Sequence, residues 1–267
     1  MLNFLCFGSG SSGNCYYLYT ETAGVLIDAG LGTRTLRKYF ADYGLSMSNI
    51  NAMLVTHDHA DHVKSVGSIS SELCLPVYAT KAVHHGIVDN YCVRKKIRPG
   101  YERYIKHGES ITIGDMVITC FNVPHDSSDN VGYRIQHKDV TFCLITDAGR
   151  VTDDMKPFIS ESNYLVLEAN YELERLLKGP YPEYLKERII SGNGHLSNVD
   201  CGKAIAENAS PELKQVWLAH LSEENNHPEL ARKTVETVLR SYGLIAGKDF
   251  VLDVLKRRTP SEVYKLL

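Results

Sequence analysis

Three imidazoles and two carboxylates stand within six consecutive positions of this chain, in the run His57-Asp58-His59-Ala60-Asp61-His62. The run directly follows an apolar, strand-like segment at 52–56. An apolar core cannot give all these groups hydrogen-bond partners, and burying them without partners is costly. Neutral imidazole nitrogens and carboxylate oxygens are the ligands that first-row divalent ions accept. We therefore interpret the run as a metal-binding loop rather than as a His-rich surface loop.

Three further candidate ligands each come just past an apolar run that is typical of a strand. His125 follows residues 116–123, Asp147 follows 140–146, and His220 follows 216–219. Runs rich in β-branched and aromatic residues predict strands, and loops after strands often carry chemistry. The spacing therefore predicts that several strand ends present metal ligands together.

The four motifs, in this order, resemble the metallo-β-lactamase superfamily, whose H-x-H-x-D-H motif is matched at 57–62. The resemblance covers most of the chain, from Asp28 to His220. It implies an α/β fold, a four-layer αβ/βα sandwich in which two mixed β-sheets pack face to face with helices outside. It also implies that the metals lie at one edge of the sheets, and that Asp28 holds the ligand loop by hydrogen bonds.

The resemblance further implies two divalent metal ions as cofactors and a division of the ligands between them. His57, His59 and His125 would hold one ion, Asp61, His62 and His220 would hold the second, and Asp147 would bridge both. Two cations close together lower the pKa of a shared water and stabilise charge on the electrophile's oxygens, which suits hydrolysis. The donor set accepts zinc, manganese or iron, and we expect zinc or manganese.

Three segments narrow the resemblance to the WalJ (YycJ)-type subgroup of bacterial exonuclease-like relatives. They are the Gly- and Ser-rich stretch 8–14, Gly-His-Leu-Ser-Asn at 194–198, and His-Leu-Ser-Glu-Glu-Asn-Asn at 220–226. Only 72 residues separate Asp147 from His220, too few for the extra clamp domain of the larger processing nucleases. The subgroup implies a minimal nuclease core.

His195 stands in a glycine-flanked loop that opens a helix. Glycines let the backbone come close to a ligand, and a helix start favours an anion. A histidine there would bind a phosphate or donate a proton to a leaving oxygen, or would only neighbour the helix cap. We take His195 and Asp61 as the candidate catalytic residues, Asp61 being also a ligand. Asp58 supports the ligands or is simply solvated, and the remaining histidines are expected at the surface or with satisfied hydrogen bonds (His84, His85, His107, His137 and His227).

Three function classes compete for this site. The first is a metal-dependent phosphodiesterase, a nuclease that works as a 5′ exonuclease on single-stranded DNA or RNA ends. The second is a thioester or lactone hydrolase of the hydroxyacylglutathione-hydrolase type, and the third is a non-catalytic metal-binding scaffold. An alkoxide leaving group needs a proton more than a thiolate does, so His195 favours the phosphodiesterase.

Composition agrees with one hydrolase domain over residues 1–267, because 43% of the residues are hydrophobic and no linker divides the chain. The seven cysteines form no C-x-x-C pair, and no leader or membrane segment is evident, so we expect a cytoplasmic protein with no membrane partner. A net charge of −3 argues against wholesale coating by nucleic acid. We expect the basic clusters 94–98 and 256–258 to be solvated faces, but the net charge does not exclude a local basic groove. The sequence does not determine the oligomeric state.

Local patterns place strands and helices around these motifs. Strands are predicted at 2–7, 15–20, 24–28, 52–56, 76–80, 110–113, 116–123, 131–137, 140–146, 164–169, 215–219 and 249–254. Helices are predicted at 33–44, 60–71, 80–92, 152–161, 182–190, 197–208 and 228–242.

Overall fold

The computed structural model describes residues 1–267, in which fourteen strands alternate with nine helices. The strands are β1 (Leu2–Gly8), β2 (Cys15–Tyr19), β3 (Gly24–Ile27), β4 (Ala52–Leu54), β5 (Val77–Ala79), β6 (Glu102–Tyr104), β7 (Ser110–Ile113), β8 (Met116–Asn122), β9 (Val131–His137), β10 (Val140–Ile145), β11 (Tyr164–Glu168), β12 (Gln215–Ala219), β13 (Val251–Val254) and β14 (Tyr264–Leu266). The helices are α1 (Thr33–Asp42), α2 (Ala60–Val63), α3 (Val66–Leu73), α4 (Lys81–Asp89), α5 (Lys156–Ser160), α6 (Leu173–Lys178), α7 (Glu183–Ile190), α8 (Asn198–Asn208) and α9 (Pro228–Ser241).

The strands form two seven-stranded mixed sheets with the same pattern of pairing. The first sheet has the order β14-β1-β2-β3-β4-β5-β6, and the second has the order β13-β12-β11-β10-β9-β8-β7. In the first sheet the neighbours β14, β1, β2 and β3 pair antiparallel, and β3, β4, β5 and β6 pair parallel. In the second sheet β7, β8, β9 and β10 pair antiparallel, and β10, β11, β12 and β13 pair parallel. Parallel pairs need crossover connections, and helices supply most of them.

Three apolar clusters separate the layers of the molecule. The cluster between the two sheets contains Phe4, whose ring centroid lies 4.9 Å from those of Phe142 and Trp217. A second cluster joins the β7–β13 sheet to α5, α8 and α9, and a third joins the other sheet to α1, α3 and α4. The prediction of a four-layer αβ/βα sandwich is therefore confirmed.

The helices that cover the sheets follow from their sequences. Helix α9 begins at Pro228, which suits a first helical turn, and buries Ala231, Val235 and Leu239, which lie four residues apart on one face. Helix α8 begins after Ser197, whose hydroxyl accepts a hydrogen bond from the backbone N–H of Asp200 at 3.1 Å. None of the helices is long and apolar enough to cross a membrane.

Apart from shifts of up to about four residues at element ends, such as the start of α5 at Lys156 rather than at 152, the structure departs from the predicted elements at four places. The helix predicted over 60–71 is broken into α2 and α3, because the carbonyls of Asp61 and His62 accept hydrogen bonds from Asn14 and Ala29 at 2.8 and 2.6 Å. Those carbonyls are thereby engaged by other segments. The short edge strands β6 and β14 and the six-residue α6 were not predicted, since three to six residues show too little periodicity.

The ends of strands from both sheets meet at one edge of the sandwich. Asp28 follows β3, Asp147 follows β10, and His220 follows β12. These three residues have φ values of 60°, 53° and 53°, in the left-handed region that non-glycine residues rarely adopt. Backbone strain of this kind is concentrated at functional sites.

Candidate metal centre

The structure brings all seven candidate ligands together at this edge. The imidazoles of His57, His59 and His125 form one group whose nitrogens lie within 4.8 Å of one another. The side chains of Asp61, His62 and His220 form a second group by the same measure. The two groups have the membership that the resemblance implied, and the assignment of each residue to an ion stays a prediction.

Asp147 lies between the two groups. Its Oδ2 is 3.2 Å from His62 Nε2, and its Oδ1 is 3.8 Å from His125 Nε2 and 3.4 Å from His220 Nδ1. The carboxylate is buried, so it faces the imidazoles rather than bulk water. A carboxylate in this position can reach toward ions held by either group.

The donor set fits divalent cations. Two of the imidazole nitrogens, His57 Nε2 and His220 Nε2, are buried without a hydrogen-bond partner. A buried polar atom that lacks a partner carries the full cost of its desolvation, which a bound cation would offset. Imidazole nitrogens combined with carboxylate oxygens match the ligand preferences of zinc and its first-row neighbours.

Burial and charge set the protonation of these groups before any metal binds. Burial lowers the pKa of His57 well below its usual value, helped by repulsion from His62, so this ring is neutral. Burial also acts to lower the pKa of His220, but the charge of Asp147 and the nearby Asp61 and Glu168 outweigh it and raise this pKa to about 10. Without a metal, His220 therefore carries a proton at neutral pH.

Asp28 holds the ligand loop. Its Oδ1 accepts a hydrogen bond from the backbone N–H of Thr56, and its Oδ2 accepts one from the Thr56 hydroxyl, both at 2.9 Å. Oδ2 also lies 2.8 Å from His62 Nδ1, so the proton on that nitrogen leaves Nε2 facing the other ligands. The expected role of Asp28 is confirmed by these bonds.

Asp58 supports the loop from its outer side. Its carboxylate accepts hydrogen bonds from the backbone N–H and the hydroxyl of Ser128, at 3.1 and 2.6 Å. Its backbone carbonyl accepts a bond from the Asn90 side chain at 2.7 Å. A Cβ added at Gly86 would come within 1.8 Å of Asp58 Oδ2, so α4 packs directly on this carboxylate. Of the two interpretations of Asp58, the structure favours the supporting role.

Glu168, which the sequence analysis missed, is the central acceptor of the site. It is fully buried at the end of β11, and its Oε1 lies 2.8 Å from His195 Nδ1 and 3.1 Å from His220 Nδ1. Its Oε2 accepts hydrogen bonds from the backbone N–H groups of Ala148 and Leu196, at 2.7 and 3.1 Å. The signal was present, because a carboxylate that ends an apolar strand must find partners when buried.

The Gly- and Ser-rich stretch 8–14 also reaches the ligands. Asn14 Nδ2 lies 3.1 Å from Asp61 Oδ2 and 2.8 Å from His62 Nε2, and its Oδ1 accepts a bond from Gly10 N–H at 2.8 Å. Ser9 Oγ accepts a bond from the His220 backbone N–H at 2.9 Å. This stretch is therefore a fixed part of the site.

His195 stands beside the candidate ligands. Its ring centroid is 5.2 Å from that of His125 and 5.5 Å from that of His220. Burial acts to lower its pKa, but the charge and hydrogen bond of Glu168 outweigh burial, and the pKa is raised. Gly194 allows this placement, since a Cβ there would come within 2.2 Å of the Arg188 carbonyl.

An open cavity of about 600 Å³ gives access to these groups. Its lining includes His59, Asp61, Asp147, His195, His220 and Arg188. Arg188, from α7, pairs with Asp126, with Nη2 3.0 Å from Oδ1. It places a cation at the rim that the sequence analysis did not single out.

The remaining histidines lie outside the groups that could hold a metal. His84 is buried with Nε2 3.2 Å from the Arg103 carbonyl, and His107 Nε2 lies 3.2 Å from Asp129 Oδ2. His227 caps α9, His137 Nδ1 faces Asp115, and His85 is exposed. None of the five is placed as a ligand, as expected, but His84 and His137 are buried with one ring nitrogen each, Nδ1 and Nε2, that lacks a hydrogen-bond partner.

Comparison with known proteins agrees with this fold and with a metal-dependent hydrolase. The family model for a beta-lactamase superfamily domain matches residues 24–220. The Bacillus anthracis protein named Exodeoxyribonuclease YycJ is 35% identical over 267 residues, 98% of each chain. Exodeoxyribonuclease WalJ of Streptococcus pneumoniae is 35% identical over 242 residues, 91% of this chain and 90% of that protein.

Two further matches bear on the fold and on the alternative function. The metallo-beta-lactamase fold protein YhfI from Bacillus subtilis superposes with a TM-score of 0.71 at 18% identity, over 98% of this chain and all of that one. A hydroxyacylglutathione hydrolase of Bdellovibrio bacteriovorus is 29% identical over 102 residues, only 36% of each chain. The chain belongs to the beta-lactamase superfamily and, within it, to the family of the YycJ and WalJ exodeoxyribonucleases.

Proposed function

We propose that this protein is a dinuclear metal-dependent phosphodiesterase that removes nucleotides from the 5′ ends of single-stranded DNA. One observation carries the proposal, the hydrogen bond between His195 Nδ1 and buried Glu168 beside the candidate ligands. The names of the two full-length relatives, both exodeoxyribonucleases, support DNA as the substrate.

In this proposal His57, His59 and His125 would hold one ion, Asp61, His62 and His220 would hold the other, and Asp147 would serve both. Zinc and manganese fit this donor set, with iron as a further option. When bound, two such ions lower the pKa of water and offset the negative charge that develops on a phosphate. Asp61 lines the cavity, and only its Oδ2 is engaged by Asn14. We assign to its other oxygen the task of taking a proton from the attacking water.

The Glu168–His195 pair supplies what phosphodiester cleavage needs at the leaving group. The departing sugar oxygen is a strong base and requires a proton, which a protonated imidazole can donate. Glu168 fixes Nδ1 of His195, so its Nε2 is the ring atom left for the substrate. The carboxylate also stabilises the protonated ring, because a neighbouring negative charge favours the imidazolium.

The thioester hydrolase remains the second candidate, and the same observation counts against it. A thiolate is a stable anion at about pH 8.5, so its departure gains little from a positioned acid. Proton donation by a histidine that Glu168 holds in place therefore assists phosphodiester cleavage, and it assists thioester cleavage much less. The hydroxyacylglutathione hydrolase match covers only 36% of this chain.

The test compares substrates, ends and metals. Single-stranded DNA labelled at the 5′ or the 3′ end would be incubated with the manganese- or zinc-loaded protein, beside RNA of the same sequence and a glutathione thioester. We expect 5′-labelled DNA to release labelled mononucleotide at once, and 3′-labelled DNA to shorten stepwise. A His57→Ala/His59→Ala variant should be inactive. Efficient thioester turnover with every oligonucleotide intact would overturn the proposal.

We also propose that residues 1–267 act as one hydrolase domain. Both sheets contribute to the apolar cluster between them and to the candidate ligands. Limited proteolysis should release no fragment that binds metal with the affinity of the whole chain.

A further inference from the structure

A second cavity of about 550 Å³ adjoins the cavity of the candidate metal centre. The two share part of their lining, including Ser11, Asp61 and Tyr91. They therefore lie side by side on the surface, and a chain whose end reaches the candidate ligands can extend from one cavity toward the other. We call the second cavity the exit groove.

The exit groove is lined by cations and hydroxyls. Beyond the shared wall its lining includes Lys64, Arg94, Ser12 and Ser68. Lys64 Nζ donates a hydrogen bond to the Ser12 carbonyl at 3.1 Å, and Arg94 is exposed. The one carboxylate in the lining is Asp61, which belongs to the candidate ligands. Cationic and hydroxyl side chains along a groove are the usual contacts of a nucleic-acid backbone.

Tyr91 stands where the two cavities join. The residue is 91% exposed, so its ring gains almost nothing from burial. Its loop is nevertheless fixed, because Asn90 Nδ2 donates to the Asp58 carbonyl at 2.7 Å and Asn90 Oδ1 accepts from Cys92 N–H at 2.9 Å. An aromatic ring held in solvent beside a cationic groove is a platform on which a base can stack.

The loop that carries Tyr91 and Arg94 is also anchored beyond Asn90. Lys96 Nζ donates to the carbonyls of Ile87 and Asn90, at 3.0 and 2.7 Å. A Cβ added at Gly67 would lie 1.9 Å from the Lys95 carbonyl, so the loop rests on the backbone of α3. These contacts fix the loop against α3 and the C-terminal end of α4.

Two further carboxylates, Asp58 and Asp89, line the metal cavity but not the exit groove, and like charge disfavours a phosphodiester backbone beside them. The remaining cation of the metal cavity, Arg188, is paired with Asp126. We propose that the single strand behind the reacting end lies in the exit groove, with phosphates on Lys64 and Arg94 and a base on Tyr91. This inference rests on the proposed function. It also revises the expectation that cluster 94–98 is only a solvated face. In the proposal Arg94 binds a phosphate of the substrate, and Lys96 fixes the loop by its hydrogen bonds to Ile87 and Asn90.

The experiment compares substrate lengths in the manganese-loaded protein. A Lys64→Ala/Arg94→Ala variant should lose about tenfold or more in kcat/KM on a sixteen-nucleotide single strand, and far less on a dinucleotide. The negative slope of log kcat/KM against log salt should become shallower by about 1.4, since each of the two lost single-strand phosphate contacts contributes about 0.7. Tyr91→Ala should lose about five- to tenfold on the longer strand, and Tyr91→Phe should restore it.

Two matched variants serve as controls. Lys95→Ala removes an exposed cation next to Arg94 that does not line the groove, and Tyr242→Ala removes an exposed ring at the end of α9. Both should match the wild type at every length. Equal activity of the groove variants and the wild type on the sixteen-nucleotide strand would overturn the groove and leave the proposed function standing. A wild-type protein that leaves every oligonucleotide intact would overturn both.

Discussion

The carboxylate of Glu168 accepts a hydrogen bond from Nδ1 of His195 at 2.8 Å, although the two residues are 27 positions apart. Glu168 ends a parallel strand, and His195 lies in the loop before α8. The backbone N–H groups of Ala148 and Leu196 hold the other oxygen of the same carboxylate. The direction of the imidazole is therefore set by a group that is itself held in place.

Glu168→Gln should test this positioning, with metal content measured in parallel because Oε1 also lies 3.1 Å from Nδ1 of the candidate ligand His220. The amide keeps most of the shape but removes the negative charge, so the protonated form of His195 loses its main stabilisation. We expect kcat on single-stranded DNA to fall about 10- to 100-fold. We also expect His195 to lose its proton at a lower pH than in the wild type, so the alkaline limb of the pH–rate profile should move to lower pH. The measurement is the pH–rate profile of metal-loaded protein. Glu161→Gln, an exposed carboxylate elsewhere, should change neither kcat nor the profile.

His195→Ala should retain its metals and lose about 10²- to 10⁴-fold in turnover of oligonucleotides, the usual contribution of a general acid. A diester with a nitrophenolate leaving group should suffer much less, because that group departs without a proton. The exposed His85→Ala variant is the matched control. Equal losses on both substrates would rule out proton donation and leave His195 a binding residue.

Elemental analysis should find close to two metal ions per chain after reconstitution. Asp147 lies between the two groups of candidate ligands, so Asp147→Ala should weaken both sites, whereas His125→Ala should chiefly empty one. A protein that holds at most one ion under saturating metal would contradict the dinuclear centre.

Metal affinity should rise with pH. In the metal-free protein the pKa of His220 is raised to about 10, so at neutral pH a metal must displace a proton from this ring. Below that pKa, the metal affinity should rise about tenfold for each unit of pH increase and for each proton that the metal must displace. Calorimetry in buffers of different ionisation enthalpy at pH 7 should show at least one proton released. Affinity that is flat between pH 6 and 9, without proton release, would contradict this assignment.

The dense motif at 57–62 made the candidate centre predictable, because few other roles suit so many imidazoles and carboxylates. The division of ligands came from the resemblance rather than from spacing. Glu168 and Arg188 were missed because each is an isolated polar residue whose role depends on distant segments. Asn14 lies in the stretch 8–14 that marked the subgroup, but its role at the site was missed for the same reason. Asn14 meets Asp61 across 47 positions, a contact that no local pattern encodes. The break between α2 and α3 has the same origin, in hydrogen bonds from Asn14 and Ala29.

The two sheets contribute to the candidate centre in nearly equal parts, with His57, His59, Asp61 and His62 from one and His125, Asp147 and His220 from the other. Each proposed ion would therefore act as a cross-link between the two halves of the chain. Free metal at a hundredfold excess over its Kd would add about 2.7 kcal/mol per occupied site to the free energy of unfolding. Metal supply would then govern how long the protein survives proteolysis, in addition to how fast it works.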